Sequence, residues 1–188
     1  MRFKSVIGRL LFGIAGWRLD IDVPVHAISK CVLIAAPHTS NWDFYYAIAA
    51  FWMMGVPVRF FIKDSWTKPW YGFVIRALGG IGVNRAQRSN LTGYAVQLLR
   101  ERTDLYLVNS PEGTRAYTER WKTGFYHIAV EAEVPILLGY VDYRQKKGGI
   151  AKVVQHKGRS KEEVMQEIQA FYEDKVGRYP ENYNPKIF

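Results

Sequence analysis

Short apolar runs of the kind that form buried strands alternate along this chain with longer stretches whose apolar positions recur at helical spacing. Cys31 to Ala36, Val58 to Ile62, Leu105 to Asn109 and Ile136 to Tyr143 read as strands. Asp43 to Met54, Trp70 to Leu78, Leu91 to Arg102 and Lys122 to Ala132 read as the helices between them. The alternation predicts an α/β fold, a single domain with a mostly parallel central sheet flanked by helices. In the C-terminal part, Tyr140 to Gln145 and Ile150 to Gln155 read as an antiparallel hairpin, with Gly148 and Gly149 permitting its turn. Ser160 with Glu163 three residues on is a capping box, and it opens a helix carrying Val164, Ile168 and Phe171 on one face. Past Gly177 the chain reads as a tail with two prolines.

The first twenty residues carry a different pattern. Phe3, Val6, Ile7, Leu10, Leu11, Ile14 and Trp17 recur at helical spacing, with Arg2, Lys4, Arg9 and Arg18 beside them. An apolar stripe with basic neighbours suits a helix lying in a membrane interface, and the same stripe also suits a helix packed on the domain. The expected division is an N-terminal amphipathic interfacial helix over 1–20 and a globular domain over 21–188. Arg9 interrupts the apolar run, and Asp20 and Asp22 stand where a signal peptide would carry small residues, so no cleaved signal is expected. The longest uncharged stretch, Phe44 to Val58, is broken by Gly55 and Pro57. As a helix it would reach only ~22 Å, short of the ~30 Å hydrocarbon core.

Composition narrows the partners. The chain has 188 residues, enough for one domain with a substantial core, and 26 Lys and Arg against 17 Asp and Glu leave a net charge of +9. The balance favours an anionic partner: nucleic acid, acidic lipid or a phosphate-bearing small molecule. Cys31 is the one cysteine, which excludes an internal disulfide and a multi-cysteine zinc site and fits a reducing, cytoplasmic setting.

Two segments carry candidate chemistry. His38-Thr39-Ser40-Asn41-Trp42-Asp43 follows an apolar strand and enters a helix, the place where active sites form in open α/β sheets. Across such a turn Asp43 can reach back to the His38 imidazole, fix its tautomer and stabilise the imidazolium formed when it takes a proton. The same aspartate would also be favourable simply at a helix N-terminus. Asn109-Ser110-Pro111-Glu112-Gly113-Thr114-Arg115 follows a later strand and should share that sheet edge. Pro111 and Gly113 shape a tight loop, Thr114 and the backbone amides can donate, and Arg115 offers a planar fork to an anion.

A histidine and aspartate five apart after one strand, then Pro-Glu-Gly-Thr-Arg after another, then Val134-Pro135-Ile136, resemble the glycerophospholipid acyltransferase family, which includes the bacterial 1-acylglycerol-3-phosphate acyltransferases. The resemblance runs from about Val32 to Tyr143. It implies His38 and Asp43 as the catalytic pair. It further implies Glu112, Gly113, Thr114 and Arg115 as acceptor-binding, Arg85 as a phosphate contact after Gly80-Ile81-Gly82-Val83-Asn84, and Lys63 and Gly72 as weaker matches. Pro135 matches a proline given a structural or acyl-side role. Departures are Pro37 and Ser110, where asparagine and phenylalanine are often seen, and an N-terminal membrane module reduced to about twenty residues.

The implied activity is O-acyl transfer from acyl-CoA or acyl-carrier protein to a hydroxyl of a lysophospholipid or glycerol-phosphate-like acceptor, peripherally at the cytoplasmic face of the inner membrane. No metal or redox cofactor is required, and no nucleic acid is expected as partner. There is no GxSxG nucleophile elbow and Cys31 lies well before His38, so direct transfer is the simpler route. Lys63, Arg85, Arg88, Arg115, Arg120 and Lys122 flank the motifs and suit phosphates or headgroups. The alternatives are a basic module binding nucleic acid or another anionic polymer, and a hydrolase of the same fold in which water replaces the acceptor. His26 and His156 have no partner at metal-ligand spacing and read as surface residues, while His127, on the helix after Arg115, reads as a helix-face residue rather than a second base.

Overall fold

Strands β2 (Lys30–Ala36), β5 (Leu105–Asn109) and β6 (Ile136–Asp142) make the centre of the molecule, and alternate residues along each point to opposite faces. Val32, Ile34 and Ala36 face one apolar layer while Cys31 and Leu33 face the other; Leu105 and Leu107 oppose Tyr106 in the same way. Both faces are therefore covered, as a parallel sheet requires. α1 (Arg2–Ala15) and α2 (Asn41–Met54) cover one side. α4 (Leu91–Glu101), α5 (Gly124–Ala132) and α6 (Lys161–Tyr172) cover the other. The computed structural model describes residues 2–84 and 91–187.

Among the described residues the sheet has seven strands in the order β1-β7-β6-β2-β5-β3-β4, the rest being β1 (Arg18–Ile21), β3 (Val58–Lys63), β4 (Gly80–Val83) and β7 (Lys147–Val154). All neighbours pair in parallel except β6 with β7, so the mostly parallel sheet with a C-terminal antiparallel pair is as expected. A short helix α3 (Gly72–Ala77) joins β3 to β4. The C-terminal ends of the parallel strands β2, β3, β4, β5 and β6 lie along one edge, the edge to which His38 and Glu112 belong.

Three expectations change. The hairpin turn is Tyr143 to Lys146, with Lys146 at φ 50°, and Gly148 and Gly149 lie within β7. Their role is close approach: a Cβ on Gly149 would sit 1.8 Å from the carbonyl oxygen of Asp20 in β1. Residues 18–20, expected as the end of the N-terminal helix, belong to the edge strand β1, because Gly16 at φ 70° stops α1 and turns the chain inward. Trp17, expected on the exposed stripe, is consequently buried and stacks on Tyr46 at 4.2 Å.

α1 packs through Gly8 and Phe12, not through the stripe. A Cβ at Gly8 would lie 2.6 Å from the Ala49 carbonyl oxygen of α2, so the two helices meet backbone to backbone. Phe3, Val6, Leu10, Leu11 and Ile14 remain exposed, Ile14 at 87%. No helix among the described residues is long and apolar enough to cross a membrane. The segment after Gly177 is not a loose tail. Trp121 donates to the Asn184 carbonyl at 2.7 Å, Ile187 is buried, and the Tyr179 N–H donates to Thr39 Oγ1 at 3.2 Å.

Candidate active site

Ser40 caps α2 in a capping box whose third residue is Asp43, and this local motif is what places the carboxylate. Asp43 Oδ2 accepts from the backbone N–H groups of Thr39 and Ser40, both at 2.7 Å. The same oxygen lies 3.3 Å from His38 Nδ1, slightly longer than an ordinary N–H···O hydrogen bond. One oxygen thus serves the helix N-terminus and also lies beside the imidazole. Asp43 is buried and the His38 side chain is 29% exposed, so the imidazole bridges a fixed carboxylate and the surface. Nε2 has no hydrogen-bond partner among the described residues.

Because β5 pairs in parallel beside β2, the loop after β5 meets the loop after β2. Glu112 is buried, and its Oε1 accepts from the His38 backbone N–H at 2.9 Å. It therefore holds the histidine loop from inside, a contact that its place in an acceptor-binding motif did not foretell. Its Oε2 is buried without a partner among the described residues. Burial pushes this carboxyl up to about 7, against the His38 N–H and ring, which pull it down, and with a smaller push from Asp43.

Gly113 turns with φ 70°, and a Cβ there would meet Lys122 Nζ at 2.7 Å. Thr114 Oγ1 accepts from the Ala116 N–H at 3.2 Å. Arg115 lines an open depression of about 320 Å³ together with Thr39, Ser40, Asn41, Trp42 and Tyr179. His38, Asp43, Glu112, Gly113, Thr114 and Arg115 are accordingly brought to one place. Lys63 ends β3, two strands from β2 and so about 10 Å along the same edge. Arg85 and Arg88 lie outside the described residues.

Other sequence-marked residues fall elsewhere. Pro135 precedes β6 at the opposite edge, where its carbonyl accepts from the Val32 N–H at 3.1 Å. Cys31 is fully buried at the start of β2. His26 and His127 are exposed; His156 is half-buried, with Nε2 3.1 Å from the Val134 carbonyl oxygen. Among the described residues no cluster of histidine, cysteine and carboxylate could hold a metal.

Sequence reasoning missed Tyr143, whose hydroxyl donates to Asp43 Oδ1 at 2.7 Å, and the segment Val176 to Tyr179 that lies over the histidine loop. Arg178 stands 5.6 Å from the Trp42 ring centre and 5.9 Å from that of Tyr143. Tyr143 carried the signal that flagged His38, a polar residue just past an apolar strand. Nothing local says that its strand neighbours β2.

Comparison with known proteins bears on the family and the fold. The Acyltransferase family matches residues 22–137. A Mycoplasma pneumoniae protein described as a probable 1-acyl-sn-glycerol-3-phosphate acyltransferase is 28% identical over 166 residues, covering 81% of this chain, and the match spans 62% of that relative's length. In fold, the chain is similar to the crystal structure of the 1-acyl-sn-glycerophosphate acyltransferase PlsC from Thermotoga maritima, with a TM-score of 0.58 at 22% identity over 88% of this chain and 73% of that one. The matched span contains both loops that meet at the sheet edge, and this chain belongs to the Acyltransferase family.

Proposed function

We propose that the chain transfers a fatty acyl group from a thioester donor, acyl-CoA or acyl-carrier protein, to the free hydroxyl of a lysophospholipid or glycerol-phosphate-like acceptor. The observation that carries this reading is His38 Nδ1 held against a buried, fully hydrogen-bonded Asp43 beside a depression lined by Arg115. His38 Nε2 removes the acceptor hydroxyl proton as the oxygen attacks the thioester carbonyl. The tetrahedral intermediate then expels the thiolate, which takes the proton back from the imidazolium. Asp43 stabilises that imidazolium, and general-base assistance of this kind is worth about 10²–10⁴ in rate. Arg115 supplies a bidentate donor for an acceptor phosphate, with Gly113, Thr114, Lys63 and Arg85 as further substrate contacts.

The acceptor class follows the names of the relatives. The place of action is a membrane surface, at the cytoplasmic face and peripheral. The exposed apolar stripe of α1 supports this, as do Trp42, Tyr45, Trp66, Trp70 and Tyr71, exposed rings that follow the C-terminal ends of β2 and β3 on the catalytic edge.

The test is product formation from acyl-CoA and acyl-carrier protein with a panel of lysolipids and a no-acceptor control. Acceptor-dependent thiol release and a new ester are expected, and His38→Ala should lose at least about 10²-fold while keeping its cooperative melt. Equal thiol release without acceptor would make the protein a thioester hydrolase. Near-normal turnover by His38→Ala would remove the dyad.

A further inference from the structure

Asp43 has two carboxylate oxygens with separate tasks. Oδ2 collects the Thr39 and Ser40 N–H groups and faces His38 Nδ1. Oδ1 receives the Tyr143 hydroxyl at 2.7 Å, its one donor among the described residues. Without that donor Oδ1 would be a buried carboxylate oxygen with no partner, and rotation about the carboxylate's broad terminal torsion would be opposed from one side only.

The donor is itself tightly placed. Tyr143 directly follows β6, the parallel neighbour of β2, and its N–H donates to the Val176 carbonyl at 2.9 Å. Its ring meets Trp17 edge-on at 5.0 Å and Tyr46 at 5.9 Å, while Trp17 and Tyr46 stack on each other. The chain from α1 through Trp17 thus ends against the ring that holds the aspartate.

We infer that Tyr143 is a positioning residue for acyl transfer: its hydroxyl fixes Oδ1 of Asp43 so that Oδ2 stays on His38 Nδ1. The inference rests on the His38–Asp43 reading given above. Burial, reinforced by the hydrogen bond to Asp43, holds the Tyr143 phenol well above its ordinary range, so it remains a donor across the working pH.

Tyr143→Phe keeps the ring and removes the hydroxyl. Its kcat should fall about tenfold, with KM for donor and acceptor within about twofold of wild type, as expected when a charge-assisted hydrogen bond acts only on the chemical step. Added to Asp43→Asn, the same change should alter kcat less than about twofold, because its effect passes through the carboxylate. Tyr106→Phe is the structural control. It removes a buried phenol that donates to Val25 and Ile28 carbonyls away from the dyad, and should lower the melting temperature with kcat unchanged. Wild-type kcat in Tyr143→Phe, a loss confined to KM, or an equal kcat loss in Tyr106→Phe would overturn the inference. If Tyr143→Phe is wild-type while His38→Ala is inactive, this inference alone falls. If His38→Ala retains wild-type turnover, the dyad reading falls and this one with it.

Discussion

Glu112 shows how one buried residue can hold a loop of the site in place. Buried beneath the histidine loop, it accepts the His38 N–H through one oxygen and leaves the other unpartnered. A carboxyl that titrates near 7 in the fold and near 4.5 in the unfolded chain binds more protons folded than unfolded between those values. The stability it contributes is full below the lower value and is lost as pH rises through the upper one, a change of about 3 kcal/mol. We expect Glu112→Gln, which keeps an acceptor for His38 N–H and cannot ionise, to flatten the fall in stability between pH 5 and 8. Denaturant melts of both proteins across that range check this, and parallel pH profiles would assign the wild-type slope to other groups.

At the scale of elements, α1 is the one that departs from ordinary packing. It meets α2 through Gly8 and Phe12 and turns its apolar stripe to solvent, an arrangement that costs solubility unless the stripe has a partner. Leu10→Glu with Ile14→Glu should weaken binding to vesicles containing anionic lipid by about tenfold or more while leaving the melt intact, because neither side chain is in the core. Salt should weaken wild-type binding without abolishing it, since burial of apolar groups is not screened. Co-sedimentation measures both, and equal vesicle binding by the double variant and wild type would leave the stripe without this role. A helix start was legible at Ser160, where the capping box stands out; it was less so at α2, read from Asp43 but starting at Asn41 behind its Ser40 cap, and at α1, where Gly16 ends the helix before Trp17. The glycine was visible in the chain; that it would take a left-handed conformation and send a tryptophan inward was not.

For the molecule as a whole, the sheet is finished at one edge by a strand from the beginning of the chain. β1 lies beside β7 in parallel, and Gly149 is the residue that lets it, since an added Cβ would fall 1.8 Å from the Asp20 carbonyl oxygen. Gly149→Ala should therefore displace β1 and cost about 1–3 kcal/mol of unfolding free energy, with the loss read from chemical denaturation. An unchanged midpoint would mean that β1 can withdraw from the sheet without penalty. The placement matters for the site, because β1 follows Trp17, and Trp17 packs on Tyr46 and Tyr143.

What the chain determined by itself is what local physics controls. Short apolar runs and helical spacing announced the α/β alternation, a local capping box holds Asp43 in the first turn of α2, and the strand-to-loop transitions marked His38 and Glu112 as edge residues. Only the tertiary structure decided what stands next to what. That Gly148 and Gly149 serve strand contacts, that Glu112 faces inward to the His38 N–H, and that Tyr143 reaches Asp43 across a hundred residues all depend on the strand order β1-β7-β6-β2-β5. Strand order is set by burying both faces of the sheet at once, an energy shared by the whole core and written in no single segment.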